Sequence, residues 1–236
     1  MRKTDTNPLR CMVSIIIPVM HEQETINILL KHLSMLRTES PFEIIVVDGS
    51  STHDTLDSIT QKGVLLLSSE PGRGQQMNQG AASAKGDILL FLHADTALPS
   101  NAIESIHKIL QDERLVGGAF DVDINSQKFI YKIFSRLISL RSRVTRVPFG
   151  DQAIFLRKKY FDKTGGYKEI PLMEDVELMR RIRKNGDAIC LLRDRVVTSS
   201  RRWECEGIMV CTLRNWMIRT LYTLRVNPKI LVRFYD

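Results

Sequence analysis

The chain has 236 residues, of which 43% are hydrophobic and 26% are charged. This composition is typical of a soluble globular protein, and the length suffices for one large α/β domain. No apolar run reaches the roughly 20 residues of a membrane-spanning helix. Residues 1–8 are polar and lack the apolar core of a signal peptide, so we expect a cytoplasmic protein. The net charge of +7 favours anionic partners such as nucleotide phosphates or lipid head groups.

Buried-strand patterns alternate with helical patterns in the first 98 residues. Because the connections are short, this alternation predicts right-handed βαβ units and a parallel sheet. Ligands of such sheets bind at the carboxyl ends of the strands, so the segments that follow the strands should meet on one rim. The predicted strands are 12–19, 43–48, 64–67 and 87–92, the predicted helices are 26–36 and 72–85, and the rim segments are 18–22, 48–50, 72–74 and 93–95.

After Pro99 the pattern becomes less regular. We predict one domain over residues 1–236, with a nucleotide-binding half over about 12–98, an acceptor and catalytic half over about 99–205, and a C-terminal helical extension over about 206–236. The elements predicted in the second half are a helix near 103–110, a strand over 115–124, a basic amphipathic stretch over 128–146, a strand over 153–156 and a helix over 174–184.

Two short segments carry carboxylates in places that suit catalysis. The apolar run 89–92 ends in His93-Ala94-Asp95, as a buried strand does when it delivers a ligand to the sheet edge. Glu174 and Asp175 stand at the start of a predicted helix, where one acid could accept a proton. Acids there are explained equally well by their favourable interaction with a helix N-terminus. Together the segments suit the transfer of a group from a phosphorylated donor to a hydroxyl.

Gly72-Arg73-Gly74 resembles part of a dinucleotide-binding fingerprint. However, it follows the third predicted strand rather than the first, and Met77 stands in place of the third glycine, which argues against a nicotinamide enzyme. The glycines still allow backbone amides and Arg73 to approach an anion at a helix start. We therefore expect phosphate binding here.

In combination, these motifs resemble the inverting glycosyltransferases of family 2, which have the GT-A fold. The resemblance implies a Rossmann-like α/β fold with a mostly parallel central sheet flanked by helices. The His93-Ala-Asp-Thr96 form and the stretch 199–203 are similar to the bacterial subgroup labelled radical-SAM/selenodomain-associated transferase type 2. The likeness runs from about Met12 to Glu206 and includes residues 14–19, Glu22, 44–51, 72–74, Asn78, Gly80, Ala81, 93–95, 150–152 and 173–175.

The resemblance also implies roles for individual residues. Asp175 would deprotonate the acceptor hydroxyl, with Glu174 beside it. A divalent cation, Mn²⁺ or Mg²⁺, would be held by Asp95 and His93. The remaining implied site residues are Pro18, Met20, Glu22, Asp48, Gly49, Gly72, Arg73, Asn78 and His93 for the nucleotide, and Gly150, Asp151, Gln152, Arg201, Arg202 and Trp203 for positioning donor and acceptor.

One position departs from the family pattern, because His93 replaces the first carboxylate of the Asp-x-Asp motif. A neutral imidazole is a ligand for Mn²⁺ and also hydrogen-bonds nucleotides. The alternative is that His93 is a strand-end residue whose hydrogen bonds are satisfied within the fold. This departure leaves the strictness of metal dependence open.

We therefore predict an inverting glycosyltransferase that moves a sugar from a nucleotide-diphosphate sugar to an acceptor hydroxyl. A sugar-phosphate nucleotidyltransferase is one alternative, although it would need a glycine- and lysine-rich loop where residues 18–22 lie. A non-catalytic nucleotide- or anion-binding protein is the other. Nucleic acid is not expected, because Phe129, Tyr131 and Phe134 are predicted to share an apolar helical face instead of interleaving with basic residues on the surface.

The stretch from Lys128 to Arg146 alternates apolar and basic residues, as a helix at a membrane interface does. This pattern predicts peripheral contact with the inner face of a membrane. A lipid-linked acceptor would be presented at that surface.

Overall fold

A computed structural model of the protein describes residues 11–234, and of Arg202 only the backbone. The strands are β1 (Val13–Val19), β2 (Phe42–Asp48), β3 (Val64–Ser68), β4 (Ile88–Phe91), β5 (Thr96–Ala97), β6 (Leu115–Asn125), β7 (Phe155–Arg157) and β8 (Ala188–Ser199). The α-helices are α1 (Gln23–Ser34), α2 (Asp54–Asp57), α3 (Arg73–Ser83), α4 (Ala102–Ile109), α5 (Phe129–Thr145), α6 (Lys158–Lys163), α7 (Glu174–Lys184), α8 (Arg201–Glu206), α9 (Ile208–Thr223) and α10 (Pro228–Leu231).

Within the described residues the strands form one mixed sheet in the order β3-β2-β1-β4-β7-β6-β8-β5. Strands β3, β2, β1 and β4 are parallel, and β6 is parallel to β8. Strand β7 is antiparallel to both β4 and β6, and β5 is antiparallel to β8. The prediction of a mostly parallel sheet was therefore too strong. The strand directions were not predicted because a short strand buried on both faces shows the same apolar run whether it is parallel or antiparallel to its neighbours.

The sheet carries helices on both faces. In β1, Ile15 and Ile17 face the core formed with α1 and α4, whereas Ile16 faces the core formed with α3 and α7. This alternation follows from the two-residue period of side chains along a strand. The helices and the four parallel strands predicted for residues 12–98 are confirmed to within a few residues at their ends.

The second half contains more regular structure than the pattern predicted. Strand β8 has 12 residues, and more exposed side chains alternate with buried ones in its C-terminal half. Helix α5 is confirmed, but Phe129 is 71% exposed while Tyr131 is buried, so the predicted shared apolar face is wrong. No helix within the described residues is long and apolar enough to cross a membrane.

Helix α3 lies close to the sheet at Gly80. A Cβ atom at this position would lie 2.5 Å from Ile16 Cγ2 and 3.2 Å from Val47 Cγ2. One turn earlier, the buried Gln76 donates from Nε2 to the main-chain oxygens of Val19 at 2.7 Å and Val47 at 2.8 Å. Packing and hydrogen bonds therefore fix the start of α3 at the carboxyl ends of β1 and β2.

We expect Gly80→Ala to destabilise the protein. Replacing glycine by alanine within a helix ordinarily adds about 0.5–1 kcal/mol of stability. Here the new methyl group would overlap Ile16, so the free energy of unfolding should fall by about 1–3 kcal/mol. Urea denaturation measures the change. The neighbouring exposed Gln79→Ala is the control and should stay within about 0.5 kcal/mol of wild type. A Gly80→Ala variant as stable as that control would contradict the packing described.

Candidate active site

The carboxyl ends of β1, β2 and β3 meet beside the start of α3, as the sequence predicted. The Gly49 amide donates to the Val19 oxygen at 3.1 Å, and the Ser69 amide donates to the Asp48 oxygen at 2.9 Å. A Cβ atom at Gly49 would lie 3.0 Å from Gln76 Cδ, so a larger residue in the turn after β2 would press against the Gln76 side chain. The rim is thus a closely packed edge on which the strand ends are held together.

Asp48 is fully buried on this rim. Its Oδ1 accepts a hydrogen bond from the Ser50 amide at 2.8 Å, whereas its Oδ2 has no hydrogen-bond partner among the described residues. A buried acceptor without a partner is costly to the fold, which marks this oxygen as a candidate ligand-binding atom.

The residues after β1 have different environments. Pro18 is buried opposite Val47, and Met20 is half exposed. Glu22 immediately precedes α1: its Oε2 accepts from Thr25 Oγ1 at 2.6 Å, and its amide donates to Thr55 Oγ1 at 2.9 Å. Of these three predicted nucleotide-binding residues, Met20 presents the most open surface.

Several residues around the rim have a left-handed backbone although they are not glycine. His21, His53, Ala153 and Met173 have φ angles of 58°, 56°, 46° and 69°. Such conformations cost about 1–3 kcal/mol each and cluster at functional sites. They follow β1, follow β2, end the turn 150–152 and precede α7, and predicted site residues stand at or next to each of these four places.

The start of α3 faces the start of α7. Arg73 Nε lies 4.0 Å from Glu174 Oε1, which brings the predicted phosphate site next to the predicted catalytic pair. Gly72, with φ of 138°, precedes α3 in a conformation that other residues rarely adopt. Asn78 lies one turn further, where its side chain donates to the Tyr167 oxygen and accepts from the Tyr167 amide, both at 2.9 Å. These bonds favour a positioning role for Asn78.

Gly150, Asp175 and His93 converge at the centre of the rim. The Gly150 amide donates to Asp175 Oδ2 at 2.6 Å. A Cβ atom at Gly150 would lie 2.7 Å from His93 Nε2 and 3.5 Å from Asp175 Oδ2. The sequence predicted all three as site residues, and here they occupy one small volume.

The two acids at the start of α7 differ in their surroundings. Glu174 is buried, and burial together with the charge of Asp175 raises its pKa, while Arg73 opposes the shift. Asp175 is partly exposed, and its Oδ1 accepts from the Val176 amide at 2.6 Å. The backbone amides of Gly150 and Val176 thus fix the orientation of an accessible carboxylate.

Asp151 and Gln152 follow Gly150 in a short 3-10 turn. Asp151 Oδ1 is enclosed without a hydrogen-bond partner in the described region. Enclosure raises the pKa of Asp151 to about 6; the Arg141 guanidinium opposes this shift, and the carboxylates of Asp175 and Asp95 add to it. Gln152 is fully buried, accepts from Ser142 Oγ at 2.5 Å and donates to the Phe120 oxygen at 2.9 Å, so it positions the turn.

His93 and Asp95 fit a divalent cation whose remaining ligands are diphosphate oxygens and water. Enclosure of the ring and the charge of Arg73 lower the pKa of His93 to about 3, so the imidazole is in its neutral, ligand-competent form. Asp95 is exposed at the rim. Residues 11–234 contain no group of three or more His, Cys, Asp or Glu side chains able to hold a metal alone. Cations that accompany nucleotides need only one or two protein ligands, with phosphate oxygens and water completing the set.

The segment after β8 reaches the site through its backbone. The Ser199 amide donates to the Asp95 oxygen at 3.1 Å, which ties the end of β8 to the predicted metal ligand. Arg201 is exposed, and the side chain of Arg202 lies outside the described part of the chain. The Trp203 ring packs on Tyr131, with 6.0 Å between ring centroids. The predicted positioning role of these three residues stays a prediction.

Sequence reasoning missed two residues of this region. Gln76 joins the ends of β1 and β2, and its only signal was a polar residue on the apolar side of a short helix. Arg141 was grouped with the basic stretch, yet its guanidinium carbon lies 3.5 Å from the Phe149 ring centroid. Burial lowers the pKa of Arg141 to about 10, although the nearby charges of Asp151 and Asp175 act to raise it.

The family model of glycosyl transferase family 2 matches residues 14–168, so the chain belongs to this family. An undecaprenyl-phosphate 4-deoxy-4-formamido-L-arabinose transferase of Serratia proteamaculans is 31% identical over 157 residues, covering 61% of this chain and 48% of the relative. The probable glycosyltransferase YdaM of Bacillus subtilis is 25% identical over 94% of this chain and 56% of its own length. The chain thus spans about half the length of these curated relatives.

Solved structures share the fold. The mannosyltransferase PcManGT of Pyrobaculum calidifontis, in complex with GDP-Man and Mn²⁺, has a TM-score of 0.64 and 20% identity over 80% of this chain and 56% of that chain. Residues 1–349 of S. aureus TarS, in complex with UDP-GlcNAc, have a TM-score of 0.60 and 19% identity over 80% of this chain and 58% of that chain. The protein therefore has a GT-A-like glycosyltransferase fold, here with a mixed sheet.

The raised pKa of Asp151 predicts a pH-dependent effect of Asp151→Asn. Between the ordinary value of 3.8 and about 6, the unfolded chain releases this proton while the folded protein retains it. Wild type therefore loses stability from this group as the pH rises through that window. The asparagine does not titrate, so the stability of Asp151→Asn relative to wild type should increase from pH 4 to pH 7. Urea denaturation of both proteins measures this, and a difference that does not change with pH would contradict the burial of the carboxyl group.

Proposed function

We propose that the protein is an inverting glycosyltransferase that moves a sugar from a nucleotide-diphosphate sugar to an acceptor hydroxyl. The observation that carries this proposal is the convergence of Gly150, His93 and the oriented carboxylate of Asp175 at the rim. Family membership supports glycosyl transfer over the nucleotidyltransferase and the non-catalytic binder. The likeness of residues 93–96 and 199–203 to the radical-SAM-associated subgroup rests on those residues alone.

The parallel half of the rim would bind the donor nucleotide. Asp48 Oδ2 is buried without a partner in the described region, and it would accept a hydrogen bond from an N–H or O–H group of the nucleoside. Arg73 and the first amides of α3 stand at the end of β3, where they would bind the diphosphate. The names of two structural relatives include GDP-Man and UDP-GlcNAc, which supports a nucleotide-sugar donor.

Asp95 and His93 would hold the divalent cation beside that diphosphate. When bound, the cation offsets negative charge on the departing nucleoside diphosphate. The Mn²⁺ in the PcManGT complex supports a metal of this type. Arg73 supplies a fixed positive charge on the same side, and a preorganised charge of this kind stabilises a leaving group without rearrangement.

Asp175 would act as the general base. The acceptor oxygen attacks the anomeric carbon as the bond from that carbon to the diphosphate oxygen breaks, and the hydroxyl proton passes to the Asp175 carboxylate. One displacement inverts the anomeric centre and needs no covalent intermediate. Glu174 is less suited to this role, because it is buried and its raised pKa favours the protonated form.

The acceptor would be lipid-linked. The name of the Serratia proteamaculans relative includes undecaprenyl phosphate, a lipid carrier. A lipid-linked acceptor that carries the attacking hydroxyl agrees with the basic, apolar character of residues 128–146.

We expect Asp175→Asn to abolish turnover while donor binding is retained. Asparagine preserves the size of the side chain but cannot accept the hydroxyl proton, and loss of a general base costs roughly 10²–10⁴-fold in rate. Donor affinity, measured by calorimetry, should stay within a few fold of wild type. Turnover is measured as nucleoside diphosphate released in the presence of acceptor.

Glu174→Gln is the matched control for Asp175→Asn, because it makes the same chemical change at the neighbouring position. It should reduce the rate less. Thermal unfolding of both variants separates a catalytic loss from a folding defect. If Glu174→Gln is inactive and Asp175→Asn is active, the general base is Glu174. If both variants are fully active, the proposed mechanism is contradicted.

A further inference from the structure

Helix α5 packs with its polar side inward. Its buried residues are Tyr131, Ser135, Ser139 and Ser142. Six large apolar side chains face the other way and are 38% to 76% exposed, whereas Phe134 and Ile138 are partly buried. The six are Phe129, Ile130, Ile133, Leu137, Leu140 and Val144. At about 100° per residue these six positions fall on one stripe, opposite the serines.

Specific hydrogen bonds fix this orientation. Ser135 Oγ accepts from the Ile124 amide at 3.1 Å, and Ser139 Oγ accepts from the Val122 amide at 3.3 Å, which joins the helix to β6. Ser142 Oγ donates to Gln152 Oε1 at 2.5 Å, next to the active-site turn. Rotating α5 to bury its apolar stripe would break all three bonds. The stripe is therefore a built feature of the surface.

Helix α9 repeats the arrangement. Its exposed apolar residues also fall on one stripe, opposite the buried Cys211 and Ile218. Trp216 is 60% exposed. Isolated exposed apolar residues are ordinary, whereas a continuous apolar stripe marks a contact surface. The members of this second stripe are Met209, Val210, Leu213, Trp216 and Met217.

The two helices lie near each other. Trp203, just before α9, packs on Tyr131 of α5. The Cys211 thiol contributes to the raised pKa of Tyr131, and the Arg219 guanidinium contributes to the lowered pKa of Arg141. The ring contact places the segment that leads into α9 against the first turn of α5. Their two apolar stripes and the basic residues beside them are called the α5–α9 surface below.

The charge of both segments has one sign. Residues 128–149 contain six basic residues and residues 207–234 contain five, and neither segment contains an acidic residue. Since the whole chain carries +7, the rest of the protein is net negative. The positive charge is thus concentrated on the segments that also expose the apolar stripes. Eight of these residues are Lys128, Lys132, Arg136, Arg146, Arg219, Arg225, Lys229 and Arg233. The other three are Arg141, which stacks on Phe149, and Arg143 and Arg214, which pair with Asp121 and Glu206.

We propose that the α5–α9 surface docks on a bilayer that contains anionic phospholipids. Paired apolar stripes flanked by basic residues match the apolar interior and anionic head groups of such a membrane. This inference rests on the proposed function and deepens it, since it states where the acceptor is met. The basic stretch 128–146 supplies only half of the surface, and α9 supplies the other half.

Other occupants match the surface less well. A second copy of this chain would bring the same positive charge against itself, which opposes association. Nucleic acid would neutralise the basic residues but would leave two rows of large apolar side chains uncovered. An anionic bilayer satisfies both features at once.

The surface borders the active site. Arg141 of α5 stacks on Phe149, and Phe149 precedes the glycine whose amide orients Asp175. A membrane under α5 and α9 therefore lies close to the side of the rim that carries Asp175. A lipid-linked acceptor would reach the base without leaving the bilayer.

Vesicle sedimentation of the full chain tests this proposal. We expect binding to phosphatidylglycerol-containing vesicles, weaker binding at high salt because exposed charges are screened, and little binding to phosphatidylcholine alone. The double variants Leu137→Gln/Leu140→Gln and Val210→Gln/Leu213→Gln should each lose about tenfold or more in vesicle affinity. Ile28→Gln/Met35→Gln removes two equally exposed apolar residues at α1 and is the matched control, with wild-type binding expected.

Tryptophan fluorescence gives a second readout that needs no surface variant. The chain has two tryptophans, so Trp203→Phe leaves Trp216 as the single reporter. Its emission should shift to the blue and be quenched by brominated lipids when anionic vesicles are added. Unchanged emission would overturn the docking of α9.

The outcomes separate this proposal from the proposed function. Nucleotide binding without vesicle binding would overturn the docking surface and leave the transferase intact. Vesicle binding without nucleotide binding would do the reverse. Two further outcomes would overturn the proposal. If light scattering shows dimers without vesicles, and the α5 and α9 variants dissociate them, the surface binds a second copy of the chain. If RNA binds and displaces vesicles, the surface binds nucleic acid.

Discussion

The hydrogen bond from the Gly150 amide to Asp175 Oδ2 joins the two parts of the site that lie far apart in sequence. It ties the turn before β7 to the first residue pair of α7, and it places both against the His93 ring at the end of β4. A side chain at Gly150 would displace the imidazole, because its Cβ atom would lie 2.7 Å from His93 Nε2. The orientation of the carboxylate therefore depends on a backbone amide and on the absence of a side chain, which preorganises the site before any ligand binds.

A second set of contacts fixes the part of the rim proposed to bind the nucleotide. Gln76 uses its buried amide to bind the main-chain oxygens that β1 and β2 leave at their ends, and Gly80 lets α3 approach those strands. Asn78 continues the connection to Tyr167, next to the chain segment that leads to α7. Helix α3 is thus the element that sets the distance between the proposed phosphate-binding region and the acids proposed to be catalytic.

The sequence was sufficient for the parts of the fold whose signals are local. The four parallel strands of the first half are buried on both faces, so each appears as an apolar run with a helix on either side. The directions of β7 and β5 could not be read, because direction depends on which neighbours a strand finds. The carboxylates and glycines at strand ends predicted most of the residues that the structure places on the rim, and their roles stay predictions. Gln76 and Arg141 were missed because their roles depend on distant backbone atoms and rings. The apolar face predicted for Phe129, Tyr131 and Phe134 was wrong, because the serines of α5 bind β6 amides that the sequence cannot place.

The central claim is that this rim binds a nucleotide sugar and transfers its sugar. The most direct measurement is a mass-spectrometric screen in which the protein, Mn²⁺ and a lipid extract are incubated with a panel of nucleotide sugars. The account predicts that one donor is consumed, that its nucleoside diphosphate is released, and that the extract gains a product heavier by one sugar residue. The panel should contain the common uridine, guanosine and thymidine diphosphate sugars. If none of them binds and no sugar-bearing product forms, the central claim is contradicted.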